Sequence, residues 1–254
     1  MKVIYPKNLL LNLLIGLSFL GAFQTSVRAQ DEEIQEVPAK VMNTFDVTFE
    51  PPNENHPKVT KAGASRGSHC ALNSQESISP FTPLLPSSNF GLTVSSHPTV
   101  LAHIPTSSAE YIFFTLRNEV SEETFQTILP ISPQSGIIGI DIPREAPALE
   151  VGKTYKWSFA LMCNDKLRPD SPTVEGFIKR IQPEYELANK LEKFKDNDIN
   201  VAALYGKAGI WYDTLSTLVH LKQNEPQDRN LNKIWDNLLL NVGLESITNA
   251  EVVD

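Results

Sequence analysis

Five residues, Gly63-Ala64-Ser65-Arg66-Gly67, carry the G-x-S-x-G spacing that sets a serine nucleophile on a strained turn. That chemistry needs a buried apolar strand before the serine and a helix after it. The flanks here, NHPKVTKA and SHCALNSQE, supply neither, so the residues read as a loop leading to Cys70 rather than as a hydrolase centre. The same loop holds Lys58, Lys61, Arg66 and His69 among small residues. Arg66 with neighbouring backbone amides is a candidate anion site, and a solvated loop is the plainer alternative.

Other chemistry-bearing residues are scattered. His56, His69, His97, His103 and His220 form no H-E-x-x-H pair, and the six-residue offset of His97 and His103 would hold them about 20 Å apart along an extended strand. Glu122-Glu123 and Asp31-Glu32-Glu33 read as solvated turns. No catalytic residue, metal site or cofactor is expected. Trp211, Tyr212 and Asp213, with Trp235 further on, are the candidate partner- or ligand-binding residues, as an aromatic groove for a peptide or carbohydrate. Large aromatics fill cores more often than they line sites, so the competing reading puts them in a seam between elements.

Compartment follows from the N-terminus. Lys2 and Lys7, an apolar run from Leu9 to Phe23, and Val27-Arg28-Ala29 read as an export signal over 1–29; the run itself is shorter than the roughly 20 apolar residues of a membrane span, and a retained anchor is the alternative. Cleavage after Ala29 would leave 225 residues with 19 basic and 30 acidic side chains, a net charge of −11. Such a chain repels phosphate backbones, which argues against a nucleic-acid partner. No stable membrane span is expected after cleavage. The two cysteines, Cys70 and Cys163, are expected to form one disulfide in an oxidising periplasmic or extracellular compartment, the alternative being two buried thiols.

Segment 30–68 is polar and reads as a flexible leader, with one candidate strand over 44–49. Short β-type runs at 91–95, 99–104, 111–117, 124–131, 136–142, 153–164 and 174–181 then predict an immunoglobulin- or fibronectin III-like β-sandwich over 69–182. In LEVGKTYKWSFALMC the alternation places Tyr155, Trp157, Phe159, Leu161 and Cys163 on one face. Leu149 and Tyr155 have the spacing of a tyrosine corner, in which the phenol bonds back to the turn. After Pro183 the period becomes helical, giving a C-terminal α-helical segment over 183–254 expected to pack on the sandwich. Within it, Ala202, Tyr205, Gly209, Leu221 and Pro226 match one tetratricopeptide-like (TPR-like) repeat, with Thr214 in place of an alanine. A last helix is expected over 231–241, before Gly243.

Several longer stretches, SRGSHC, FTPLLPSSNFGLTVSSHPTVLAHIP, LEVGKTYKWSFALMCND, VEGFIKRI, GIWYDTLSTLVHL and IWDNLLLNVGL, resemble a cyanobacterial family known as domain of unknown function 928. The resemblance implies an exported protein without an assigned activity, some members being encoded near membrane sensors with extracytoplasmic CHASE2-type domains. It supplies no catalytic residues. Together these readings favour a non-enzymatic binding or adaptor protein whose partner is a protein, such as an extracytoplasmic sensor domain. A module binding carbohydrate or cell-envelope glycan is the second reading, and an envelope hydrolase the third.

Overall fold

The alternation along 154–162 becomes the centre of the molecule. In the computed structural model, which describes residues 46–53, 81–132, 134–164, 166–195 and 198–253, nine strands precede, flank and follow four helices. In chain order they are β1 (Thr82–Pro83), β2 (Phe90–Thr93), β3 (Thr99–Ile104), β4 (Tyr111–Asn118), β5 (Thr124–Pro130), β6 (Gly136–Asp141), β7 (Thr154–Met162) and β8 (Thr173–Arg180). The helices α1 (Tyr185–Phe194), α2 (Asp198–Lys207), α3 (Trp211–Asn224) and α4 (Arg229–Asn241) follow, and a short β9 (Val252–Val253) closes the order.

The strands make two mixed sheets, one ordered β1-β3-β6-β9 and the other β2-β8-β7-β4-β5. β7 lies at the middle of the second sheet, and its Tyr155, Trp157, Phe159 and Leu161 turn to one face, each at most 4% exposed. Lys156 and Ser158 take the opposite face, half-buried. Across the ladder, β4 adds Ile112, Phe114 and Leu116 to the same apolar layer, and β3 and β6 of the other sheet add Val100, Ala102, Ile137 and Ile138. Both sheets therefore share one core.

A residue without a side chain allows the tightest packing. Gly176 stands opposite Trp157 across β7 and β8, and a Cβ there would come within 2.7 Å of the indole Cζ2. The turn before β7 is fixed by the phenol, since the Glu150 N–H donates to Tyr155 Oη at 3.1 Å while Leu149 is fully buried.

Several expectations are revised. β2 pairs with β8, and β6 with β9, in parallel, whereas the expected sandwich is built of antiparallel sheets. The predicted strand at 153–164 stops at Met162, leaving Cys163 just beyond the ladder, partly buried against the core. No strand forms over the described part of 44–49. That part of the expected leader instead packs inward: Val47 is 4% exposed, Phe49 meets Trp211 edge-on at 4.7 Å, and the Glu50 N–H donates to Gly206 O. The last helix begins at Arg229, two residues early, because the Asp228 carboxylate accepts from the N–H groups of Asn230 and Leu231 as an N-cap. Among the described residues no helix is long and apolar enough to cross a membrane. The signal segment 1–29, Arg66, Cys70 and the G-x-S-x-G pentapeptide lie outside the described residues.

Candidate functional site

α3 begins with the three residues expected to form an aromatic groove, and its packing shows why they cannot. Gly91 lets β2 approach so closely that a Cβ there would sit 2.7 Å from the Tyr212 ring and 3.1 Å from Trp211 Cβ. Trp211 is fully buried and donates its indole N–H to Leu84 O at 2.8 Å. The Tyr212 hydroxyl accepts from Trp157 Nε1 at 2.6 Å and donates to Phe177 O at 3.1 Å. Burial pushes this phenol's pKa far up, so it stays neutral and bonded. Trp235 is likewise buried on α4. All three tryptophans of the chain, Trp157, Trp211 and Trp235, are closed to solvent, which corrects the groove expected of Trp211, Tyr212 and Trp235. Trp157 and Trp211 form the seam between the sheets and α3, joined through Tyr212 and Leu84 O, while Trp235 lies beneath Lys222 of α3.

Asp213 has a separate role. In the first turn of α3 its carboxylate accepts from the Val94 N–H at 3.1 Å and from the buried Thr93 hydroxyl, tying the end of β2 to the helix. Burial raises its pKa to about 6, against the lowering effect of those hydrogen bonds. Tyr205 is pushed up by burial and then by the charge of Asp213. Arg180 completes the corner, donating to Val94 O at 3.2 Å and to Leu149 O at 2.8 Å. This is a latch that ties β2, β8 and the turn before β7 to α3.

An accessible constellation lies where the end of α3 and the first two turns of α4 meet the C-terminal turn. A cleft of about 430 Å³ is lined by Lys222, Gln227, Asn232, Asp236, Asn249 and Glu251, among others. Its parts are held from several sides. Lys222 donates to Asn232 Oδ1 and lies 5.6 Å from the centre of the Trp235 ring. Asn232 in turn donates to Pro226 O at 3.2 Å, and the C-terminal rim is pinned by the Ile137 N–H on Glu251 O at 2.7 Å. Burial lowers the Lys222 pKa, partly opposed by the charge of Asp236. The sequence reading missed these residues, which are spread over 222–252. The one local signal was Asn232 and Asp236, four apart on α4 and so on one helical face.

Among the described residues no group of three His, Cys, Asp or Glu side chains could hold a metal ion. His97 lies near Ser96 Oγ and Ala146 O, His220 beside Asn224, and His103 is buried in β3.

The model of the family Domain of Unknown Function (DUF928) matches residues 61–252, and the chain belongs to that family. No curated protein matches the chain.

Proposed function

We propose that this member of the DUF928 family is a non-enzymatic extracytoplasmic binding or adaptor protein that works through protein–protein contacts. The observation that carries the reading is the outer edge of the five-stranded sheet. β5 pairs with β4 on one side only. The Asn118 N–H bonds Glu123 O and the Ile131 N–H bonds Glu110 O, so bonded pairs fall on the odd-numbered residues of the outer strand. The backbone groups of Gln126 and Ile128 therefore point away from the sheet. Thr124–Pro130 contains no charged side chain, and Ile128 is 49% exposed. Edges are usually blunted by lysines, prolines, bulges or extreme brevity; here only Pro130, at the very end of the strand, does so, and the outward groups of Gln126 and Ile128 stay open. An uncharged edge of this length is suited to receive an extended segment of a partner, whose main chain supplies the hydrogen bonds.

In this reading the two sheets are a fibronectin III-like sandwich, supported by the Leu149–Tyr155 corner, and α2 with α3 is a TPR-like hairpin fastened to it. The first 29 residues support export. The pairing of Cys70 with Cys163 is supported by a cysteine count of two and by the absence of a free cysteine among the described residues. A sensor ectodomain is the partner suggested by the resemblance. The glycan-binding reading is the second one, and burial of all three tryptophans favours it less.

Affinity capture from an envelope extract, compared between wild type and Gln126→Pro, tests the proposal. The substitution removes an outward N–H and leaves the β4–β5 ladder intact. A partner retained by the wild type and reduced at least tenfold by the proline, with both proteins equally folded by circular dichroism, is expected. No specific partner, or one held equally by both, would count against it.

A further inference from the structure

The cleft at the C-terminal turn involves different elements from β5 and carries a reading of its own. Three facts define its chemistry. It contains charge of both signs, Lys222 against Asp236 and Glu251, so its ionised side chains sum to −1. Its uncharged lining, Gln227, Asn232, Thr248 and Asn249, supplies amide and hydroxyl groups that both donate and accept. Its framework is pre-ordered, because Lys222 is already held by Asn232 and the Trp235 face, and Asn232 by Pro226 O.

Ligand classes separate on these facts. A simple anion would meet two carboxylates for one ammonium. A simple cation would meet Lys222. A sugar ring would find no aromatic face, since Trp235 is fully buried beneath the lysine. A molecule carrying its own ammonium and carboxylate matches both signs: its carboxylate to Lys222, its ammonium to Asp236 and Glu251, its amides to the asparagines. The volume of about 430 Å³ lies in the range of small-molecule sites.

We propose that the cleft lined by Lys222, Asn232, Asp236 and Glu251 binds a small zwitterion of the amino-acid type, either a free amino acid or a di- or tripeptide. Carboxylate and ammonium are both required, and neither alone suffices.

The test is titration of the full ¹⁵N-labelled chain followed by amide chemical shifts, including the Asn232 and Asn249 side chains. The probes are the twenty protein amino acids singly, alanyl-alanine, trialanine, N-acetyl-alanine, alaninamide and maltose. Saturable shifts at the cleft with at least one amino acid or peptide are expected. Binding should weaken at least tenfold when either charged end is blocked, and maltose should be inert. Strongest binding by a single amino acid identifies free amino acids as the source, and strongest binding by alanyl-alanine or trialanine identifies peptides. Lys222→Met and the milder Glu251→Gln should each weaken binding at least tenfold, the second guarding against loss of fold in the first. Absence of saturable binding by every zwitterion, undiminished binding of the blocked compounds, or equal binding by both variants would overturn the proposal.

Discussion

At the scale of single residues, Asp213 is the side chain whose charge state the fold has altered most usefully for experiment. Its folded pKa of about 6 lies above the ordinary value of 3.8. The protonated carboxyl is thus the form the native state prefers: its stabilising contribution is complete below about 3.8 and is lost as pH rises through about 6. One pKa unit corresponds to about 1.4 kcal/mol, and partial exposure of the residue argues for discounting the full displacement. Asp213→Asn keeps an acceptor for the Val94 N–H and removes the titration. Urea unfolding at pH 5 and pH 8 should therefore show the variant gaining on wild type by about 1 kcal/mol at the higher pH. An unchanged difference between the two pH values would mean that water reaches the carboxylate freely.

At the scale of elements, the contact between α3 and the sheets decides whether the helices are attached at all. Trp211→Ala would remove a fully buried indole that bonds Leu84 O and meets Phe49, and is expected to cost about 3 to 5 kcal/mol. Tyr212→Phe keeps the ring but leaves Trp157 Nε1 and Phe177 O without their partner, at about 1 to 3 kcal/mol. Chemical denaturation of both variants checks the order; equal costs would mean that the hydroxyl, not the packing, governs the seam. This contact also marks how far the sequence could be read. β4 and β7 were legible because one buried face imposes a period of two, as Trp157 and Phe159 against Lys156 and Ser158 show. β9 was not, since two residues carry no period and Val252–Val253 is defined only by the partner strand β6. Trp211 and Tyr212 were visible as residues, but their direction depends on how closely β2 approaches, which Gly91 permits and no local spacing announces. The cleft was illegible for the same reason: its lining residues are gathered from α3, α4 and the C-terminal turn by tertiary packing alone.

At the scale of the whole molecule, the proposed pairing of Cys70 with Cys163 would join the segment before β1 to the end of the central strand β7 and so tie distant parts of the chain. Cys163 packs against the main core, where a crosslink is held in register by its surroundings. Closing a loop of roughly 90 residues removes denatured-state entropy corresponding to at most about 4 to 5 kcal/mol, less any native strain. A double-mutant cycle separates a bond from two independent thiols. If the pair is joined, Cys70→Ser and Cys163→Ser each break the same crosslink, so the double variant is scarcely less stable than either single one. If the thiols are separate, the two losses add. The expected result under oxidising conditions is a loss of about 2 to 4 kcal/mol in each single variant and nearly the same in the double. With dithiothreitol present, wild type should fall to the same level. Additive losses, or a wild-type midpoint indifferent to reductant, would remove the crosslink from the account and leave the shared core and the α3 seam as what holds the chain together.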